Sequence, residues 1–311
     1  MLRPEEVDTI YYHSPCQDGL GAAWSAWDWS QKADHTYEFL GIQNGQSVSF
    51  EAQAGKKLLF LDYAPTDEQV IELKRLGCVF SVIDHHKTNE ARFKDKPNAI
   101  FKMDRSGCGL AWEYFNYRSY ASDSDLPRFL RYIQDRDLWT WKYPDSKAFC
   151  EGLWTLTNVT DSFEEKIDLF NQLRVNEDEY TDKCGKTILL GQMLLKVSMQ
   201  KVTGIVEKAI AGSLPIGNYS YNNTMPICLI NCDSEIRSDL GSAILTKEPA
   251  FFAAIMWHYD HKTEKYWLSM RANGKLDVSD ICKKYDGGGH ANAAGCSVDI
   301  HPSILFNGTT S

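Results

Sequence analysis

The sequence contains no Cys-x-x-Cys pair, and its nine cysteines, scattered from Cys16 to Cys296, are odd in number. That spacing excludes a dense disulfide framework and offers no clustered structural zinc site, so a reducing compartment is expected. No apolar run approaches the roughly 20 residues that a membrane helix requires. The first residues, MLRPEEVDTI, lack the apolar core of a signal peptide and carry three acids, which reads against secretion and against a mitochondrial presequence. The expectation is a soluble, cytoplasmic protein with no membrane partner. Positive charge is also short, with 33 basic side chains against 42 acidic ones and a net charge of −9. A protein that holds long nucleic acid through its overall field is normally basic, so long-DNA binding is not expected and any nucleic-acid role needs a local site. Repeats and low-complexity tracts are missing too. With 43% hydrophobic residues, the 311-residue chain reads as globular and long enough for two domains.

What is present is a recurring pattern in the first third. Residues 7–12 are β-rich and end at His13, and GLGAAWSAWDW behind them suits a helix. Residues 58–61 form a short apolar run ending at Asp62; the helix TDEQVIELKRLG follows, with Thr66 and Gln69 spaced as a capping box and Gly77 as its stop. Residues 79–83 form a third run, ending at Asp84-His85-His86. Short continuous apolar strands alternating with helices indicate a parallel sheet covered on both faces, an α/β arrangement. Ligands bind at the carboxyl edge of such sheets, so His13, Asp18, Asp62, Asp84, His85 and His86 are expected along one rim.

From about Gly109 the chain turns helical and aromatic, and a proline-free stretch over 178–212 predicts one long connecting helix. β-rich segments resume with PICLINC, AFFAAIMWHY and KYWLSMRA and end in DGGGHANAAG, which predicts a smaller α+β domain over 213–311. The expected divisions are therefore 1–177, 178–212 and 213–311.

Carboxylate oxygen and imidazole nitrogen together, as in Asp84-His85-His86, suit Mn²⁺, Zn²⁺ or Fe²⁺, whereas Mg²⁺ favours oxygen alone. The alternative is that Asp84 caps the next turn and the histidines are surface residues. His13, Cys16 and Asp18 sit on a glycine-containing strand-to-helix turn, where Asp18 could equally cap the helix. Asp135 and Asp137 flank Arg136 in QDRDLWTW and could simply pair with arginines. Three consecutive glycines before His290 let backbone approach a ligand, or else make a flexible turn. The nine tryptophans read as core and domain interface, or as surfaces for stacking bases.

HSPCQDGLGAA, LDYAP, VIDHH, QDRDLW and LSMRANGKLDVSDICKKYDGGGHANAAG, in this order, resemble the DHH phosphoesterase superfamily with its C-terminal DHH-associated domain, the group of nanoRNases, cyclic-dinucleotide phosphodiesterases and RecJ-like exonucleases. The resemblance implies that His13, Asp18, Asp62, His85 and Asp137 hold two divalent ions, Mn²⁺ first and Mg²⁺ or Co²⁺ as alternatives. It implies that His86 lies beside the scissile phosphate with Asp84 supporting it. Asp137 is preferred to Asp135 by its spacing to Trp141 and Pro144. Arg271 and the run Gly287, Gly288, Gly289, His290 match positions that bind the substrate's phosphate and sugar, which puts the active site in an interdomain cleft. One position departs: Cys16 stands where the family's Asp-x-Asp has its first aspartate. The implied activity is hydrolysis of short oligonucleotides to nucleoside 5′-monophosphates through a metal-activated water; an oligomer, if formed, is expected to be a dimer. Alternatives are a cyclic or linear dinucleotide substrate, a 3′-phosphoadenosine-type phosphatase, and a non-catalytic nucleotide sensor.

Overall fold

The three apolar runs form the middle of a five-stranded parallel sheet. The computed structural model describes residues 1–43, 46–117, 122–174, 182–210, 217–222, 225–234 and 236–308. In chain order the first elements are β1 (Thr9–His13), α1 (Gln17–Ala33), β2 (Glu38–Ile42), β3 (Lys57–Leu61), α2 (Asp67–Arg75), β4 (Val79–Asp84), α3 (Glu90–Phe93) and β5 (Ala99–Phe101). The sheet order is β2-β1-β3-β4-β5, all parallel. Alternation of side chains along each strand splits the apolar residues between two faces. Leu59 and Leu61 pack with Trp24, Leu110 and Phe129 on one face, while Leu58 and Phe60 pack with Phe50, Leu73 and Phe93 on the other. The order reverses direction between β1 and β3, the switch point at whose carboxyl side open α/β sheets bind ligands.

The helix at 67–75 begins where its sequence says it should: Gln69 N–H donates to Thr66 Oγ1 at 3.3 Å and Thr66 N–H to Gln69 Oε1 at 2.9 Å. Past its end, Gly77 takes φ +69°. Two strands go beyond the sequence expectation. β2 reads EFLGI, with Glu38 and Gly41 exposed and Ile42 buried, and β5 has three half-buried residues, so neither edge strand carries an apolar run as long as those at the centre of the sheet.

A helical layer follows with α4 (Gly107–Phe115), α5 (Arg128–Asp137), α6 (Ser146–Thr157), α7 (Phe163–Arg174) and α8 (Lys183–Ile210). The long helix starts at Lys183, where Asp182 Oδ1 accepts Gly185 N–H at 2.6 Å; residues 178–181 and 211–212 of the expected span lie outside the described residues. The chain divides inside α8 into two compact units, 1–195 and 196–311.

The second unit continues with β6 (Gly217–Tyr221), β7 (Met225–Asn231), α9 (Arg237–Lys247), β8 (Ala253–Asp260), β9 (Lys265–Ala272), α10 (Val278–Lys283), β10 (Gly288–His290), β11 (Ala293–Val298), α11 (Pro302–Leu305) and β12 (Asn307–Gly308). Its seven-stranded sheet runs β10-β11-β9-β8-β7-β6-β12, antiparallel except for the parallel pair β7–β8. Leu268, Met270 and Ile281 centre the core on one face; Leu240, Ala254 and Met256 join Val202 and Val206 of α8 on the other. Among the described residues, no helix is long and apolar enough to cross a membrane.

Candidate metal centre

β1, β3 and β4 end side by side, and each delivers side chains to the same edge. β1 ends on His13, whose Nδ1 lies 3.2 Å from Asp62 Oδ2. Asp62, directly after β3, takes φ +55°, a left-handed conformation that costs most residues energy and is held only where surrounding structure imposes it. β4 ends on Asp84, which is fully buried and fully used. Its Oδ1 accepts the N–H groups of His85 (2.8 Å) and His86 (3.2 Å) and lies 2.7 Å from His86 Nδ1, while Oδ2 accepts from Asn89 Nδ2 at 3.0 Å. Asp84 thus fixes the two histidines that follow it.

The His85 ring nitrogen Nε2 is surrounded by carboxylate oxygens: Asp62 Oδ1 at 3.2 Å, Asp137 Oδ2 at 3.3 Å and Asp18 Oδ2 at 3.6 Å. Yet Nε2 and Asp62 Oδ1, both buried, make no hydrogen bond within the protein. Two orphaned buried polar atoms facing each other are costly unless a further ligand satisfies both. Three sets of ligand atoms each gather within 4.8 Å: His13, Cys16 and Asp62; Asp62, His85 and His86; Asp18, His85 and Asp137. Asp62 and His85 recur in two sets each, so the sets adjoin. Nitrogen and oxygen donors in this number, with the one thiol of Cys16, fit divalent transition ions.

The charges push on one another. Burial opposes protonation of His85, but the carboxylates around it outweigh that and lift its pKa to about 10. Burial likewise opposes protonation of His86, and Asp84 with Asp62 lifts it to about 9. Asp137 is pushed up to about 8, by burial first and by the charge of Asp18 next. For Asp62 burial works upward, but His13 and His85 prevail and hold the carboxyl well below its usual range. A cluster this rich in carboxylates gains most from cations.

Asp18 does not cap its own helix. It lies in the first turn of α1 and reaches across to the N-terminus of α4: Gly107 N–H donates to Oδ2 at 2.6 Å, Cys108 N–H to Oδ1 at 3.0 Å and Ser106 Oγ to Oδ1 at 2.6 Å. The positive end of a helix dipole favours this carboxylate. Ser106, Gly107 and Cys108 escape the sequence reading, which begins the helical stretch at Gly109. Ser-Gly ahead of an apolar run is the available signal.

The two aspartates of QDRDLW have different surroundings. Asp137, the last residue of α5, faces His85. Asp135 is buried elsewhere and accepts from Thr140 Oγ1 (2.5 Å), Lys142 N–H (2.7 Å), Tyr143 N–H (3.1 Å) and Ser146 Oγ. Burial would raise its carboxyl, but these donors hold it below the usual range. Asp137→Asn is therefore expected to abolish turnover with little change in melting temperature. Asp135→Asn should keep most of kcat and cost about 1–3 kcal/mol of stability through its lost charge-assisted bonds. Thermal melts and kcat at saturating metal check the pair, and the reverse ranking would assign Asp135 to the centre.

In the second unit, Arg271 on β9 pairs with Ala293 on β11, which pairs with His290 on β10. Directly opposed residues share a sheet face, so Arg271 and His290 flank a small alanine in one cross-strand row. Arg271 is half-buried, its Nε 3.4 Å from Ser238 Oγ, and His290 is exposed. Part of the glycine run serves the hairpin itself. A Cβ on Gly287 would lie 2.3 Å from Gly295 O, and one on Gly289, at φ +136°, 2.5 Å from Ala293 O. A Cβ on Gly288 would meet nothing within 4 Å.

The DHHA1 domain family matches residues 242–301. An uncharacterized protein of Acanthamoeba polyphaga mimivirus is 30% identical over 312 residues, covering 95% of this chain and 68% of its own length. Oligoribonuclease NrnB of Bacillus subtilis is 22% identical over 256 residues, covering 77% of this chain and 58% of its own length. Both relatives are thus considerably longer than the part this chain spans. The fold is shared with RecJ of Thermus thermophilus in complex with Mn²⁺ (TM-score 0.53, 12% identity, 97% of this chain and 50% of that one). It is shared also with exonuclease RecJ bound to manganese (TM-score 0.50, 15% identity, 98% and 88%). A parallel sheet ending in an Asp-His-His edge, a matching C-terminal domain and a relative aligned along nearly the whole chain agree: the chain belongs to the DHH phosphoesterase superfamily, hydrolases of phosphoester bonds.

Proposed function

We propose that the protein is a metal-dependent phosphodiesterase that hydrolyses short oligonucleotides to nucleoside 5′-monophosphates. The observation that carries this reading is the pair of buried, unsatisfied atoms, Asp62 Oδ1 and His85 Nε2, among three carboxylates at the carboxyl edge of the sheet. His13, Asp18, Asp62, His85 and Asp137 would hold two divalent cations, and Cys16 supplies a further donor beside His13 and Asp62. Such ions neutralise phosphoryl charge and acidify water for in-line attack. The residues themselves position. α4 holds Asp18, Asp84 holds the His86 ring through Nδ1, and His86 stands partly exposed to meet a phosphate oxygen. Arg271 and His290 are the groups assigned to the substrate's far phosphate and sugar.

The deciding experiment offers dinucleotides, 5-mers, 20-mers, cyclic dinucleotides and 3′-phosphoadenosine phosphate with Mn²⁺, with Mg²⁺, and after EDTA. Mn²⁺ is expected to exceed Mg²⁺ at saturation because imidazole suits the softer ion. Preferred cleavage of 20-mers, or activity that survives EDTA, would reject the proposal. Arg271→Ala and His290→Ala should mainly raise KM for a dinucleotide, by about tenfold for each lost charge-assisted contact. If Arg271→Ala slows a minimal phosphodiester without a distal group as severely, Arg271 acts on the reacting phosphate instead.

A further inference from the structure

Trp24 and Trp112 are buried and stacked on each other, whereas four tryptophans are exposed: Trp154 and Trp267 at 44% and 42%, Trp139 and Trp141 at 59% and 36%. What sets Trp139 and Trp141 apart is their backbone. Both sit in the left-handed region, at φ +58° and +53°, a conformation that bulky side chains adopt only when the structure forces it. The force is visible. Asp135 gathers Thr140, Lys142, Tyr143 and Ser146 around one carboxylate, and its carbonyl accepts Thr140 N–H at 3.0 Å, so residues 139–143 have a single route. That route sets the two rings edge to face, 4.7 Å apart at 68°, and puts the Arg136 guanidinium 5.8 and 5.9 Å from their centroids. Strained backbone clusters at active sites and ligand clamps, and large aromatics supply contact area for a ligand.

We propose that Trp139, Trp141 and Arg136 form a clip that stacks a nucleobase of the substrate. The inference rests on the phosphodiester reading of the centre and adds the group that selects nucleotides over other phosphoesters. The clip leaves α5 directly behind Asp137, so the segment that supplies the centre with a carboxylate also supplies the rings. Aromatic faces bind any base by stacking, and a guanidinium adds cation–π attraction and a positive charge. A stacking clip does not read sequence, in keeping with an enzyme for short strands of mixed composition.

The test is calorimetric titration of the Mn²⁺-loaded protein with AMP and with ribose 5-phosphate, which keeps the sugar and phosphate but has no base. AMP should bind the wild type more tightly. Trp139→Ala and Trp141→Ala should each weaken AMP about tenfold and leave ribose 5-phosphate unchanged, with Trp139→Phe restoring most of the loss. AMP binding no tighter than ribose 5-phosphate, or equal loss of both ligands in the alanine variants, overturns the clip while the phosphoester site stands. Failure of both ligands to bind the wild type overturns the site reading and the clip with it. Unchanged AMP affinity alongside a shift in sedimentation would make the pair a self-association surface and likewise overturn the proposal.

Discussion

Asp62→Asn is expected to remove turnover by about 10³-fold or more while the protein stays folded. The side chain is buried, its Oδ2 faces His13, its Oδ1 faces His85 without a hydrogen bond, and its backbone already holds the left-handed turn that aspartate and asparagine both tolerate. Asparagine therefore keeps the shape and loses the charge. Loss of a single preorganised stabilising donor costs other enzymes about 10²–10³ in kcat, and Asp62 joins two ligand sets, so the loss is at the upper end or beyond. Binding reports the same change independently. Wild-type protein should gain several degrees in melting temperature on adding Mn²⁺, because a ligand that binds only the folded state stabilises it. The variant should gain little. A variant that keeps turnover within tenfold of wild type, with the same Mn²⁺ stabilisation, would remove Asp62 from the centre.

How much of this is legible in sequence follows from which contacts are local. The strand ends at His13, Asp62 and Asp84 can be read because a buried run followed by an ionisable residue is a pattern within a few positions. The 67–75 helix is legible for the same reason, since Thr66 and Gln69 cap it three residues apart. β2 and β5 are hidden because Glu38 and Gly41 break the apolar run of the first and the second is only three residues long. Asp18 looks like a cap for the helix it belongs to. Its partners in α4 lie 88 to 90 positions away, and no spacing rule reaches that far. The glycine run reads as room for a ligand, but Gly287 and Gly289 are small because the next strand lies against them. The left-handed conformations of Trp139 and Trp141 have no signal in sequence at all; they follow from the Asp135 network around them.

Gly107→Ala is the substitution where local and tertiary preferences oppose each other most directly. Replacing glycine by alanine in a helix interior stabilises by about 1 kcal/mol, and at Gly107, the first residue of α4, the gain is no larger. At this position a Cβ would stand 2.5 Å from Asp62 Cβ, 2.7 Å from Asp62 Oδ1 and 2.8 Å from Asp18 Oδ2. None of those atoms is free to retreat: Asp62 is fixed by its turn, and Asp18 by the three donors at the start of α4. The helix must then back away, lengthening the 2.6 Å bond from Gly107 N–H that holds Asp18. Overpacking of this kind costs about 1–3 kcal/mol, which exceeds the propensity gain, so a net loss of stability is expected. The larger effect should fall on the centre, because displacing Asp18 and Asp62 together disturbs all three ligand sets. Mn²⁺ affinity should fall by at least tenfold and kcat by about 10²-fold, since a shift of about 1 Å in positioning suffices for that. Ser106→Ala removes one bond to Asp18 without adding an atom, so its loss of affinity should be smaller. A Gly107→Ala protein that melts higher than wild type and binds Mn²⁺ equally well would show that α4 does not hold the centre in place.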